Sequence, residues 1–348
     1  MTSIEERKQR WNDFYRTDTN ETKVLFQVKF TPEYAAPFPM LLPECKQDRI
    51  EFAWRRYLEE LERITWLEDD YIPNFLLLTG TELYAEALGS QVFCRKDRWE
   101  WPRAEPVIFS AQDAEKVRFP RLEDSTLTLY FDMADELQRR GGKQALFNLP
   151  NMLCPMDIVA QLWEKTDLCV TMLDAPDVIL ELTEKVRTFF LSFTDEWFRR
   201  YGTEYIAHYP SYYMSGGISM TVDEIGTISS DMYRQFFEKD LDIIARRYGG
   251  MGVHCCAKAR HQWDNLRRIP GLRLLNIVQP EKVLRESYES FKDISALWPE
   301  KMEGGIPEPM NNPKKAELPA GCRLVLTENA RTRDEALRIA EQLHKEYR

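Results

Sequence analysis

The spacing of apolar residues along the chain changes repeatedly between two patterns, and each pattern predicts one type of element. Apolar residues three or four positions apart are typical of amphipathic helices, and they predict helices over residues 4–15, 49–67, 156–166, 176–201, 230–248, 261–269, 280–291 and 332–347. Short apolar runs between these segments are typical of buried strands, and they predict strands over residues 23–30, 75–79, 144–148, 205–208, 251–254, 272–277 and 322–326. Strands that alternate with helices predict a parallel sheet covered by helices.

The number of predicted strands favours a particular α/β architecture. About eight short strands, with no Gly-rich phosphate loop after the first, favour a closed (β/α)8 TIM barrel over a doubly wound sheet. The length of 348 residues fits one such barrel, and we expect a single domain with a helical extension over about residues 1–20. In such barrels the chemistry lies at the C-terminal ends of the strands.

Composition and charge exclude several classes of protein. The formal net charge of −10 argues against a nucleic-acid partner, which normally meets a basic patch. No apolar run approaches the roughly 20 residues of a membrane span, and the charged first residues do not resemble a signal peptide. Seven cysteines, odd in number and scattered, are not typical of a disulfide framework. We therefore expect a cytoplasmic protein without a membrane partner, whose cysteines serve packing, metal binding or catalysis.

The candidate chemistry is concentrated at His254-Cys255-Cys256, where a short apolar run ends. Side chains alternate across a strand, so His254 and Cys256 point the same way while Cys255 faces the opposite side. Cys322 offers a third soft ligand, although it opens its predicted strand rather than closing it. One imidazole and two thiolates with an open fourth position suit a catalytic zinc ion. The alternative is that these cysteines are buried packing residues.

Other polar residues near predicted strand ends are candidates for catalysis or substrate binding. Asp223 and Glu224 are candidates for a fourth ligand, an orienting group or a proton acceptor, or they cap the following helix. A cluster of tyrosines after residue 207 could line a pocket for a flat or aromatic substrate, or it packs at the rim. The further candidates are Tyr213 as a catalytic residue and His208, Tyr212, Asn148 and Lys258 as substrate-binding residues, Lys258 for a sulfonate or carboxylate.

Four stretches carry a resemblance to a known family: Pro150-Asn-Met-Leu-Cys-Pro155-Met-Asp-Ile, Asp223-Glu-Ile-Gly226-Thr-Ile-Ser229, His254-x-Cys256, and Gly321-Cys322 followed by Glu328-Asn329-Ala330. The chain resembles the uroporphyrinogen decarboxylase superfamily and, within it, the zinc-dependent methylcobamide:thiol methyltransferases, although Ala257 stands where glycine is usual. The resemblance implies a (β/α)8 barrel and a zinc ion held by His254, Cys256 and Cys322. It also implies a corrinoid carried by a separate partner protein, since the chain has no Asp-x-His-x-x-Gly motif.

One departure from the superfamily bears on the substrate. The decarboxylases of haem synthesis carry an Arg-Gln-Ala-Gly-Arg segment near the first strand, whereas this chain has Gln27-Val-Lys-Phe-Thr-Pro-Glu-Tyr34. A highly acidic porphyrinogen needs several cationic partners. We therefore expect methyl transfer between a corrinoid protein and a small molecule such as a thiol. The alternatives are demethylation of a methoxylated aryl substrate onto reduced corrinoid, a metal-free decarboxylase or lyase that uses Asp223 or Tyr213, and a non-catalytic barrel that binds a partner.

Overall fold

The computed structural model describes residues 2–31, 37–95, 100–303, 306–307 and 312–348. Residues 32–34 of the segment 27–34, which differs from the decarboxylases, lie outside the described residues. The described helices are α1 Ile4–Tyr15, α2 Lys46–Arg63, α3 Leu83–Ala87, α4 Ala111–Ala114, α5 Thr128–Gly141, α6 Pro155–Leu162, α7 Lys165–Asp174, α8 Pro176–Tyr201, α9 Ser230–Phe236, α10 Glu238–Tyr248, α11 Trp263–Leu266, α12 Glu281–Phe291 and α13 Arg333–Tyr347. The described strands are β1 Lys23–Phe30, β2 Asn74–Phe75, β3 Val92–Phe93, β4 Arg103–Ala104, β5 Leu146–Phe147, β6 Tyr205–Ile206, β7 Tyr213–Met214, β8 Ile218–Thr221, β9 Met251–Cys255, β10 Leu272–Gln279, β11 Ala296–Glu303, β12 Ile306–Pro307 and β13 Arg323–Ala330.

The principal sheet is parallel along six strands, in the order β1-β13-β11-β10-β9-β8. A short antiparallel strand, β12, pairs with the end of β11. Helices α10, α12 and α13 pack against these strands. The prediction of an α/β fold with a parallel sheet is confirmed, and the C-terminal ends of the six strands meet at one edge.

The remaining strands are short and form separate pairs. β2 pairs with β5 in parallel, while β3 pairs with β4 and β6 with β7 in antiparallel fashion. Single parallel bridges join Asn148 to Ile206 and Leu153 to Thr221. The backbone N–H of Asp70 also donates to the carbonyl of Phe26 in β1 at 2.9 Å. Sheet-like contacts therefore continue past both edges of the principal sheet, through these short segments.

Two strands of the principal sheet were not predicted from the apolar pattern. β11 contains Pro299 and three charged residues, and proline normally argues against a strand inside a sheet. β8 has four residues, of which Ser219 and Thr221 are polar. Thr221 belongs to the same row as His254, because Thr221 aligns with His254, His254 with Asn276, and Asn276 with Trp298 of β11. The missing apolar signal thus coincides with the part of the sheet that carries polar chemistry.

Helix α1 packs into the domain at the edge where the strands begin. Ser3 and Glu6 form a capping box that starts the helix. The indole of Trp11 stacks on Trp298 with ring centroids 6.5 Å apart, and the carbonyl of Tyr15 accepts a 2.9 Å hydrogen bond from Arg323 at the start of β13. The predicted N-terminal helix therefore covers the end of the sheet where the parallel strands begin, and β9 reaches His254 at the other end. Among the described helices, none has both the length and the apolar character needed to cross a membrane.

Candidate metal centre

Three potential ligands converge where β8 and β9 end. The ligand atoms of Asp223, His254 and Cys256 all lie within 4.8 Å of one another. Strand alternation explains the pair from β9, because His254 and Cys256 fall on one face and Cys255 on the other. Asp223 follows β8, whose Thr221 is the register partner of His254. Neighbouring parallel strands therefore deliver the carboxylate, the imidazole and the thiol to one point.

The donor set fits a zinc ion. One nitrogen, one sulfur and one carboxylate oxygen are all ligand types that zinc accepts, and three protein ligands leave the open position found in catalytic sites. A carboxylate and a thiolate carry two negative charges, as two thiolates would, and so balance a divalent cation equally well. The residues that could hold the metal are Asp223, His254 and Cys256.

The imidazole of His254 is fixed by Asn276 on the neighbouring strand. His254 Nδ1 is hydrogen-bonded to Asn276 Oδ1, while Asn276 Nδ2 donates to the carbonyl of Trp298 at 2.7 Å. Since the amide nitrogen faces a carbonyl, the amide oxygen must be the acceptor that faces His254. Nδ1 of His254 therefore carries the proton, and Nε2 has the free lone pair that a metal requires.

The electrostatics of Cys256 depend on Asp223. The backbone N–H of Cys256 donates to Asp223 Oδ1 at 2.7 Å. Although part of Cys256 is open to solvent, the surrounding protein atoms and then the Asp223 carboxylate raise the pKa of its thiol to about 12. Burial likewise raises the pKa of Cys255 far above its usual range. Without a cation Cys256 is therefore a neutral thiol that donates to Asp223, and a divalent ion would take the place of that proton.

Asp157, at the start of α6, supports the loop that carries Asp223. Its Oδ2 accepts from the backbone N–H of Asp223 at 2.7 Å, and its Oδ1 accepts from that of Glu224 at 3.2 Å. Burial and then the charge of Asp223 raise the pKa of Asp157 to about 8. Both carboxylate oxygens of Asp157 are therefore used to orient the backbone beside the candidate ligand.

A close contact joins the loop after β8 to the loop after β9. A Cβ atom on Gly226 would lie 2.5 Å from the Cβ of Ala257 and 3.4 Å from the backbone nitrogen of Lys258. Only glycine leaves space for this approach without moving one of the two loops. The contact keeps the segment after Asp223 against the segment after Cys256.

Cys322 lies outside this group. Following the register from Leu324 through Leu297 and Leu275 to Val253 places Cys322 level with Met251, at the beginning of β9. Cys256 is five residues further on, which corresponds to about 16 Å along the strand direction. Cys322 is fully buried, and burial raises the pKa of its thiol to about 12. Because Cys322 precedes its strand, it lies at the opposite end of the sheet from the group formed by Asp223, His254 and Cys256.

The tyrosine cluster divides between two sides of the β6–β7 hairpin. Tyr213 is buried next to Glu204 and Asn12, and burial followed by the charge of Glu204 raises its pKa far above the usual range. Its side chain therefore faces helix α1 and not the metal ligands. Tyr212 is fully buried, and its hydroxyl is 2.8 Å from Ser219 Oγ. It packs over Gly252, where a Cβ atom would overlap the Tyr212 hydroxyl.

His208 and Asn148 have different surroundings. Burial and then the charge of His254 lower the pKa of His208 to about 4, so His208 is neutral at physiological pH. Its Nδ1 is 3.5 Å from Thr79 Oγ1, a long contact. The Asn148 amide is buried and donates to the carbonyl of Ala207 at 2.7 Å. Asn148 therefore joins two chain segments, while His208 belongs to the surroundings of His254.

The two remaining charged candidates lie at the surface of the site. Glu224 is half-buried and forms an ion pair with Lys165 at the start of α7. Its carboxylate therefore points towards α7 and away from His254 and Cys256. Lys258 is exposed two residues after Cys256. The structure thus brings Asp223, His254 and Cys256 together, and it directs Glu224 elsewhere.

Sequence reasoning missed two residues that support the candidate ligands, Asp157 and Asn276. One signal was present, because Asn276 is a buried polar residue inside the apolar run of residues 272–277. A polar amide at such a position needs a specific hydrogen-bonding partner.

Comparison with known proteins gives a structural likeness. No protein-family model matches the sequence, and no curated protein matches it. Among solved structures, the chain is similar to a methyltransferase from Methanosarcina mazei, with a TM-score of 0.64 and 12% sequence identity. The match covers 99% of this chain and 100% of that one. At this identity the likeness shows a shared fold.

Proposed function

We propose that this chain is a zinc-dependent methyltransferase that moves a methyl group between a corrinoid protein and a small-molecule thiol. The observation that carries the proposal is the convergence of Asp223, His254 and Cys256 within 4.8 Å at the end of two parallel strands. The fold shared with a methyltransferase supports the same reaction class. The proposal places the protein in the cytoplasm, with a corrinoid protein as its partner.

The proposal includes a closed (β/α)8 barrel of the uroporphyrinogen decarboxylase type. It is supported by contacts that continue the principal sheet: Thr221 to Leu153 at one edge, and Phe26 to Asp70 at the other. The parallel pair β2–β5 lies between these segments in chain order. In such a barrel the candidate ligands would stand at the mouth where active sites are found.

Each residue of the proposed site has a defined task. Zinc, when bound, would lower the pKa of a substrate thiol that takes the open coordination position. Asp223, His254 and Cys256 would hold the ion, and Asn276 keeps the His254 lone pair directed towards it. Lys258, exposed two residues after Cys256, is the proposed partner of an anionic group on the substrate.

The proposed transfer conserves atoms and charge. The substrate thiol loses its proton to solvent, and its sulfur forms a bond to the methyl carbon. The cobalt–carbon bond of the corrinoid substrate breaks, and its electron pair remains on cobalt. The chain's own residues contribute by positioning the sulfur, since reacting groups held in line gain several kcal/mol over free encounter.

The alternatives make different demands on the same residues. A metal-free decarboxylase would rely on Asp223 or Tyr213, and the orientation of Tyr213 towards Glu204 and Asn12 argues against the second. Demethylation of a methoxylated aryl compound onto reduced corrinoid uses the same metal ligands. Tyr209, whose ring centroid lies 5.0 Å from that of His254, offers an aromatic surface for such a substrate.

Metal analysis tests the site, with Cys322→Ser as the matched control. We expect about one zinc ion per chain in the purified protein, strongly reduced in His254→Ala, Cys256→Ser and Asp223→Ala, because each variant removes one of three ligands. Cys322→Ser should retain the metal. Loss of zinc from Cys322→Ser with retention in Asp223→Ala would overturn the assignment of the third ligand, and a zinc-free native protein would overturn the proposed function.

Two assay mixtures separate the directions of transfer. One contains methylcobalamin with a set of thiols, and the other contains reduced cobalamin with methoxylated arenes. Methylated thiol in the first mixture, dependent on zinc and on Cys256, supports the proposed reaction. Turnover in the second mixture alone would replace it with the demethylation reaction.

A further inference from the structure

A closed circuit of contacts surrounds His254. His254 Nδ1 is hydrogen-bonded to Asn276 Oδ1, and Asn276 Nδ2 lies 3.3 Å from Glu300 Oε2. The other oxygen of Glu300 accepts from the hydroxyl of Tyr209 at 3.0 Å. The Tyr209 ring returns to His254, meeting the imidazole edge-on at 5.0 Å with an interplanar angle of 85°.

The circuit joins separate parts of the fold. His254, Asn276 and Glu300 come from β9, β10 and β11, which are consecutive in the principal sheet. Tyr209 comes from the segment between β6 and β7 and is 43% exposed, and its described contacts with Glu300 and His254 hold this partly exposed ring. Burial and then the Glu300 carboxylate raise the pKa of Tyr209 far above its usual range, so the phenol keeps the proton that it donates.

The amide of Asn276 is the central element. Its nitrogen has two acceptors, the Trp298 carbonyl at 2.7 Å and Glu300 Oε2 at 3.3 Å. A carboxylate acceptor strengthens an N–H donor bond and disfavours the flipped amide, in which an oxygen would face Glu300. The orientation of Asn276 in turn sets which nitrogen of His254 is protonated.

We propose that Glu300 and Tyr209 are positioning residues for the metal-binding histidine: Glu300 locks the Asn276 amide, and Tyr209 restrains the imidazole ring from its exposed edge. The proposal rests on the proposed metal site. It predicts that metal affinity depends on Glu300 and Tyr209, although neither residue is hydrogen-bonded to a candidate ligand in the described part of the chain. Groups that orient a ligating histidine typically contribute about tenfold to a hundredfold in metal affinity.

The experiment measures the dissociation constants of Zn²⁺ and Co²⁺ and the visible absorption spectrum of bound Co²⁺ in the purified full-length chain. Glu300→Ala should weaken binding about tenfold and change the Co²⁺ spectrum, because the Asn276 amide loses its charged partner. Glu300→Gln should lie between the native protein and Glu300→Ala, since the glutamine oxygen can accept from Asn276 but carries no charge. Tyr209→Phe keeps the ring and should weaken binding by less than Glu300→Ala.

Controls separate this inference from the proposed function. Glu136→Ala removes a half-buried glutamate on α5 that pairs with Arg139 and Arg140, and it should leave metal affinity unchanged. If the native protein binds metal and Glu300→Ala binds it with the same affinity and the same Co²⁺ spectrum, the inference is overturned and the proposed function stands. Equal weakening in Glu300→Ala and Glu300→Gln overturns it as well, because the amide would then fail to substitute. Native protein that binds neither ion overturns the proposed function, and the inference with it.

Discussion

Two halves of the molecule contribute to the candidate metal centre in different ways. The long-strand half consists of β1 and residues 218–330, and the short-strand half consists of residues 74–214. All three candidate ligands belong to the long-strand half, where continuous register fixes the relative heights of Thr221, His254 and Asn276. The short-strand half, with strands of two residues, supplies Asp157 and Tyr209, which hold ligands or their loops.

The difference indicates how positional precision is distributed. His254 lies on a paired strand, and Asp223 and Cys256 follow paired strands within two residues. The many backbone hydrogen bonds of such strands position a site more accurately than loops do. The supports, Asp157 on α6 and Tyr209 in the segment between β6 and β7, act through one or two hydrogen bonds each. Changes in the long-strand half should therefore affect folding and metal together, whereas changes to the supports should affect the metal more than the fold.

The largest effect that we expect is a pH-dependent change in the free energy of unfolding, caused by a buried carboxyl in the short-strand half. Glu82, directly before α3, is 4% exposed, and burial followed by the charge of Glu86 raises its pKa to about 7. A carboxyl with a raised pKa stabilises the fold below its unfolded pKa, and this contribution is lost as pH rises towards 7. The shift from 4.5 to about 7 corresponds to about 3 kcal/mol.

Glu82→Gln removes this titration. The free energy of unfolding should be similar for the two proteins near pH 4.5, and the variant should gain up to about 3 kcal/mol over the native protein by pH 8. Denaturant titrations across this pH range measure the difference. A difference that is constant with pH would contradict the buried, neutral state of Glu82.

The next largest expected effect on folding stability concerns Gly252, which lies on β9 two residues before His254. In Gly252→Ala the new Cβ atom would overlap the hydroxyl of Tyr212, which is fully buried. Overpacking of this kind costs about 2 to 3 kcal/mol, and we expect zinc affinity to fall with it because Gly252 precedes His254 on β9. The double variant Gly252→Ala/Tyr212→Phe removes the overlapping atom and should recover part of the loss. Unchanged unfolding and zinc binding in the single variant would contradict the coupling of fold and metal in this half.

The sequence predicted the long-strand half better in its apolar parts than in its polar ones. β1 was predicted with its observed bounds, and the placement of His254 and Cys256 on one face followed from strand alternation. The sequence already placed Cys322 at the start of its predicted strand, but its height relative to His254 depends on a register across four strands. Asp223 was a candidate with several possible roles, and its selection as a ligand needed the contact between β8 and β9.

Replacing Asp157 should have a smaller effect on the free energy of unfolding but a clear effect on zinc affinity. Asp157→Ala leaves the backbone N–H groups of Asp223 and Glu224 without their acceptor, and both are partly accessible to water. We expect a loss of about 1 to 2 kcal/mol in unfolding free energy and about tenfold weaker zinc binding. Asp157→Asn retains one oxygen and should lie between the two. If the alanine variant lost folding stability without any change in zinc affinity, the support would belong to the fold alone.

The smallest effect tests the contact between the loops after β8 and β9. Gly226→Ala places a Cβ atom 2.5 Å from that of Ala257, so one loop must shift. Because surface loops move more easily than strands, we expect a cost of about 1 kcal/mol in unfolding free energy, with zinc affinity falling several-fold as Cys256 moves away from Asp223. The double variant Gly226→Ala/Ala257→Gly exchanges the two side chains and should restore both quantities towards native values. Equal zinc affinity in all three proteins would mean that the loops hold their ligands independently, and the positions of Asp223 and Cys256 would then depend on the paired strands alone.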